Sequence, residues 1–186
     1  DAFAFADVEL NSVGSARLSG TNPAEASASV SGLIGDSSVS LTSTLVGSLE
    51  EPSSIAATLA GTIEHEEATT LLSQAGFEVF PLRLLGAGKS LFNISGSLDQ
   101  GLSARIALET PDTKMSMDGV FRTEEGTARF TGLGDLESED IEPWWDLFGY
   151  IFPSTGLGTE ASAHARIRFE EDTYEFSELT GSVGGN

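Results

Sequence analysis

From 101 to 109 apolar and polar side chains alternate: Leu102, Ala104, Ile106 and Leu108 fall on one side, Ser103, Arg105 and Glu109 on the other. A period of two is the signature of a strand with one buried face. The pattern recurs at Phe92, Ile94 and Leu98, at Met115, Met117 and Phe121, at Ala128 and Phe130, and at Ala163, Ala165, Ile167 and Phe169. Between these segments stand Asp99-Gln100-Gly101, Pro111-Asp112, Glu124-Glu125-Gly126 and Glu171-Asp172. Such short turn sequences join neighbours as antiparallel hairpins, so the segments form a meander.

The N-terminal third repeats the pattern more softly, in Phe3 to Leu10, Ser15 to Leu18, Ala26 to Leu33, Val39 to Leu45 and Ile55 to Ile63, with Gly, Asn-Pro and Glu-Pro breaks between. Roughly ten to twelve strands are expected. Two segments depart from alternation. In 64–76 the apolar positions are Ala68, Leu71, Leu72 and Ala75, and in 137–149 they are Ile141, Trp144, Trp145 and Phe148, each one face of a helix. The expected fold is mainly β: an antiparallel twisted meander sheet, or an open sandwich or groove, with two short amphipathic helices at about 65–76 and 138–149. The whole of 1–186 reads as a single domain, a fragment of a longer protein.

The two helices share a pattern. A shift of 73 residues carries Ala68 onto Ile141, Leu71 onto Trp144, Leu72 onto Trp145, Ala75 onto Phe148 and Gly76 onto Gly149, while Pro81 and Pro153 trail both. Gly61 and Gly132 close similar strand endings upstream. We read this as an internal repeat of about 72 residues, with units at about 53–125 and 126–186.

The chain carries 29 acidic and 9 basic residues, a formal charge of -20. That field repels phosphate backbones, which excludes nucleic acid as a partner. The absence of cysteine removes disulfides, thiolate metal sites and cysteine nucleophiles. No apolar run reaches the roughly 20 residues of a membrane helix, so any membrane anchor is expected in a missing flank.

Motifs that resemble catalytic or cofactor signatures are incomplete. Gly86-Ala87-Gly88-Lys89-Ser90 ends like a phosphate-binding loop, but position 83 is Arg83 where that loop needs glycine, and a strand pattern follows. His65-Glu66-Glu67-Ala68-Thr69 lacks the second histidine of a zinc helix, and His164 alternates with Arg166 and Arg168 on a polar strand face. No Gly-x-Ser-x-Gly elbow occurs. The carboxylates Glu137, Glu139, Asp140 and Glu142 precede or open the second helix, as Glu64, Glu66 and Glu67 do the first, and read as helix-start residues with Ser138 as N-cap. No catalytic residue, metal site or cofactor is assigned.

The unit from Leu59-Ala60-Gly61 to Pro81, followed by alternating Ser-rich strands and echoed from Phe130 to Pro153, resembles the periplasmic repeat region of the AsmA-like proteins of Gram-negative bacteria. The resemblance implies small repeated β units with interspersed helices, a periplasmic location, an inner-membrane anchor in the full-length protein, and a non-enzymatic role in outer-membrane assembly or lipid transport along an apolar β groove. Partners implied are a phospholipid or other envelope lipid, and envelope proteins. Candidates for groove or core are Ile94, Leu98, Leu102, Ile106, Leu108, Met115, Met117, Trp144, Trp145 and Phe148. Two other readings stay open: a cell-surface or periplasmic β-sandwich scaffold, and a carbohydrate-active hydrolase with acids near Trp144 and Trp145.

Overall fold

The computed structural model describes residues 8–17, 24–48, 50–76, 79, 85–124, 127–147, 158–170 and 173–184. Ten strands run in chain order: β1 Val8–Arg17, β2 Ala24–Ile34, β3 Ser37–Gly47, β4 Ala56–His65, β5 Gly88–Ser97, β6 Gly101–Glu109, β7 Thr113–Glu124, β8 Thr127–Ser138, β9 Ala161–Glu170 and β10 Thr173–Val183. Each pairs antiparallel with its sequence neighbours, so one open ten-stranded sheet repeats the order of the chain. Substantial strand contacts are confined to those neighbours, and no second sheet faces the first among the described residues. The meander is the simplest outcome of short turns between alternating segments.

Local chemistry explains the connections. Thr110 and Thr113 close the β6–β7 turn around Pro111-Asp112: Thr110 N–H donates to Thr113 O (2.8 Å) and Thr113 N–H to Thr110 Oγ1 (3.1 Å). The Glu51-Pro52 break becomes a 3-10 turn, Pro52–Ser54, between β3 and β4. Glu125-Gly126 and Glu171-Asp172 lie outside the described residues. At the N-terminus the two separate strands expected are one, because Gly14 pairs in register with Ala28 and does not interrupt the ladder. Residues 1–7 and Leu18 lie outside the description.

The helices are α1, Ala68–Gln74, and α2, Glu142–Leu147, both starting later than their apolar patterns suggest. The sheet claims their expected first turns. Ser138 is the last residue of β8, facing Ala161 and Thr113, and its hydroxyl lies 2.7 Å from Thr113 Oγ1, so it is not an N-cap. Glu64 belongs to β4 and pairs with Lys89 at 2.8 Å. Capping falls instead to Glu67 and Asp140. Glu67 Oε1 accepts Thr69 N–H (3.3 Å) and Leu85 N–H (2.9 Å), and Asp140 Oδ1 accepts Glu142 N–H (3.1 Å) and Thr159 N–H (3.2 Å). Each carboxylate thereby caps a helix and ties it to the returning chain.

The two crossovers, β4–α1–β5 and β8–α2–β9, share these bonds at the spacing seen in the sequence. Ala68 N–H donates to Gly86 O at 2.8 Å, and Ile141 N–H to Thr159 O at 2.9 Å. The shift of 73 residues carries donor to donor and acceptor to acceptor, as it carries Glu67 to Asp140.

Register sorts the side chains by face. One row reads Leu41, Gly61, Phe92, Ile106, Met117, Gly134, Ala165; the next reads Val39, Ile63, Ser90, Leu108, Met115, Leu136, Ala163. Both helices lie over this apolar face at one end, where Ala68, Leu72, Leu85, Ile141, Trp144, Leu147 and Ala161 form a buried cluster packed on Leu108, Met115 and Leu136. The opposite face carries Ser and Thr in β2–β4 and charged ladders in β5–β10, including Arg105–Asp118 and Arg166–Glu178.

Beyond the helices, large side chains cover the apolar face by lying across glycines. A Cβ on Gly119 would meet Phe130 Cζ at 2.5 Å, and one on Gly132 would meet it at 2.7 Å. Phe130 is 2% exposed, and Phe121 packs beside it with ring centroids 4.7 Å apart. Ile167 lies over Gly134 in the same way, at 2.6 Å from its would-be Cβ. These glycines serve as slots for neighbouring side chains.

Two predictions follow from this packing. Gly119→Ala forces the Phe130 ring off its slot and presses on Thr131 O, so chemical denaturation should show a loss of about 1–3 kcal/mol, whereas Ser31→Ala on the exposed polar face should stay within about 0.5 kcal/mol of the parent. The second concerns Glu170. Burial pushes its carboxyl upward as the largest single influence, but Arg129 Nε at 2.8 Å and Arg168 Nη2 at 3.1 Å together hold it below the ordinary glutamate value of 4.5. Its contribution is therefore present above that value and disappears as pH falls through the lowered one. Parent and Glu170→Gln should differ in denaturation midpoint at neutral pH, and the difference should vanish as acidification well below the ordinary glutamate value of 4.5 protonates Glu170.

Candidate apolar groove

Ridges of the helices and the bare stretch of sheet beside them enclose a groove of about 680 Å³ over β6 to β10. Its floor comes from Ile106 and Leu108 of β6, Met115 and Met117 of β7, Gly134 and Leu136 of β8, and Ala163, Ala165 and Ile167 of β9. Leu72 of α1 and Ile141, Trp144 and Trp145 of α2 form the wall, and Phe176 and Val183 of β10 form the outer rim. Alternation explains the floor, since residues two apart on a strand share a face. Gly134, which leaves room for Ile167, lowers it in the middle.

Six of the sequence candidates meet here: Ile106, Leu108, Met115, Met117, Trp144 and Trp145. Ile94 and Leu102 share the apolar face by register, opposite Ala104 and Phe121, but do not line the groove. Leu98 sits in the β5–β6 turn and is 61% exposed, so it belongs neither to the groove nor to the buried core. The alternation of β5 carries a strand reading past its real end at Ser97, where the turn begins. Phe148 lies outside the described residues. Sequence reasoning missed the rim. Phe176 and Val183 belong to β10, whose period of two is broken by a bulge between Ser177 and Thr180, with Glu178 at φ 52°.

The acidic and aromatic stretch around α2 is bound into the fold. Trp144 is 4% exposed, and its Nε1–H donates to Thr113 Oγ1 at 2.9 Å, a hydroxyl that also bonds Ser138. Asp140 is the helix cap, and the buried Glu142 accepts Thr159 Oγ1–H at 2.9 Å. A buried hydroxyl also fixes α1, because Ser37 Oγ–H donates to Gln74 Oε1 at 3.0 Å. Trp145, by contrast, is half-buried and turns toward the groove.

The remaining motifs are spread across the sheet. Gly88-Lys89-Ser90 opens β5, and Lys89 is raised above its ordinary pKa by the hydrogen bond and charge of Glu64. His65 Nδ1 accepts Glu67 N–H at 2.9 Å. His164 Nδ1 lies 2.7 Å from Asp135 Oδ1 on the polar face. Among the described residues no three His, Asp or Glu side chains converge as metal ligands.

No protein-family pattern matches the chain, and neither a characterised protein nor a solved structure is significantly similar to it.

The two tryptophans should separate in a denaturation experiment. Trp144→Phe removes the indole donor from a buried hydrogen bond and should cost about 1–2 kcal/mol. Trp145→Phe keeps a ring at the groove wall and should cost less than about 1 kcal/mol.

Proposed function

We propose that this chain is a non-enzymatic lipid-handling module of the AsmA-like kind, whose apolar groove receives acyl chains during envelope assembly or lipid transport. The observation that carries this reading is the groove itself, with Ile106, Met117, Ala165 and Ile167 on its floor beside the helix wall of Trp144 and Trp145. Apolar area removed from water at about 25 cal/mol per Å² drives an acyl chain onto such a surface without any catalytic group. Exposed contiguous apolar surface of this kind marks ligand or partner sites. On this reading the parent protein is held at the inner membrane, and the module faces the periplasm. The alternating strands and paired helix crossovers support the family resemblance.

Binding of a fluorescent apolar probe tests the proposal. The probe should bind saturably, be displaced by phospholipid, and lose affinity by roughly tenfold or more in Met117→Asp, which puts a charge on the groove floor. Far-UV circular dichroism of that variant should match the parent. Absence of saturable binding, or unchanged affinity in a folded Met117→Asp, would overturn the reading and favour a scaffold role.

A further inference from the structure

The chain has no cysteine, so its only two sulfur atoms are those of Met115 and Met117, and the fold sets both on the groove floor. They lie two apart on β7 and share the apolar face. Both are half-buried, which leaves them open to a small solute entering the groove. Their cross-strand neighbours are Leu108 and Leu136 for Met115, and Ile106 and Gly134 for Met117. None of these four carries a side-chain hydrogen-bond donor. The indole donor of Trp144, on the wall above them, is already committed to Thr113. A thioether suits such a floor because it is apolar and adaptable, but it is also the side chain there that a mild oxidant can change.

We infer that Met115 and Met117 are an oxidation site that controls the groove: an oxidant of the peroxide class converts them to sulfoxides, and the groove then loses its hold on acyl chains. This rests on the acyl-chain reading above and adds its regulation. In each step the peroxide O–O bond breaks, one oxygen forms an S–O bond to the thioether, the sulfur gives up two electrons, and water leaves. With no cysteine in the chain, no thiol of its own competes for the oxidant. No backbone bond changes, so a sulfoxide reductase can reverse the step, taking its electrons from a dithiol that ends as a disulfide. The new oxygen is an acceptor held by water. An acyl chain laid over it strips that water and supplies no donor in exchange, and neither do the four neighbouring side chains.

Treatment with hydrogen peroxide, followed by intact mass measurement and binding of a fluorescent apolar probe, tests this. The parent should gain the mass of one oxygen per methionine, keep its circular dichroism, and bind the probe roughly tenfold or more weakly than before treatment. Methionine sulfoxide reductases with dithiothreitol should remove both oxygens and restore the starting affinity. In Met115→Leu/Met117→Leu, the affinity after peroxide should equal that variant's own affinity before it. If the doubly oxidised and folded parent binds as well as the untreated protein, or if the double leucine variant loses affinity to the same extent as the parent, the oxidation inference is wrong while the acyl-chain reading stands. Should oxidation unfold the parent, Met117→Gln, a polar side chain of similar length, carries the test: it should weaken binding by a similar factor, and unchanged affinity in the folded variant overturns the inference. If the untreated parent shows no saturable binding, the acyl-chain reading fails, and this inference falls with it.

Discussion

A single sheet has two faces, and one face of this one is apolar, with only two short helices over it among the described residues. Every other feature of the structure answers that constraint. Two short helices close one end of the face, and flat-lying side chains cover the middle. Phe130 and Ile167 bury themselves against the sheet only because Gly119, Gly132 and Gly134 leave the slots they occupy. What neither device reaches is the groove over β6 to β10.

Helices of six and seven residues have little stability of their own. They persist here because each is fastened at several points. A carboxylate, Glu67 or Asp140, binds the first turn and the returning chain together, and a backbone bond from Ala68 or Ile141 closes the connection. Buried hydroxyls of Ser37 and Thr113, each the first residue of its strand, hold Gln74 and Trp144 from below. The acids around α2 that look catalytic in sequence serve as the acceptors this fastening requires, and a lost cap or a stranded buried donor would release the helix from the groove wall.

The sheet was legible because alternation and turn chemistry are local. Met115 and Met117 lie two apart and therefore share a face in any antiparallel register. The helix ends were not legible, since Ser138 can satisfy either a helix cap or the Thr113 hydroxyl, and only the β7–β8 register decides between them. The rim was hidden for a similar reason: the bulge at Glu178 shifts Phe176 and Val183 out of the simple period. Glycine slots are invisible without pairing, because Gly119 and Gly132 become neighbours only across strands. The paired crossovers were visible as a shift of 73 residues, and their matched hydrogen bonds give that shift a physical meaning.

The proposed acyl-chain site can be tested at the groove floor itself. Its two methionines, the only ones in the chain, both stand on the groove floor. Methyl-labelled methionine therefore gives an NMR spectrum with two signals, both reporting on the proposed site. On addition of a monoacylglycerol, Met115 and Met117 should both shift and show contacts to the acyl chain protons. Ligand binding that leaves both methyl signals unmoved would place the ligand elsewhere and contradict the account.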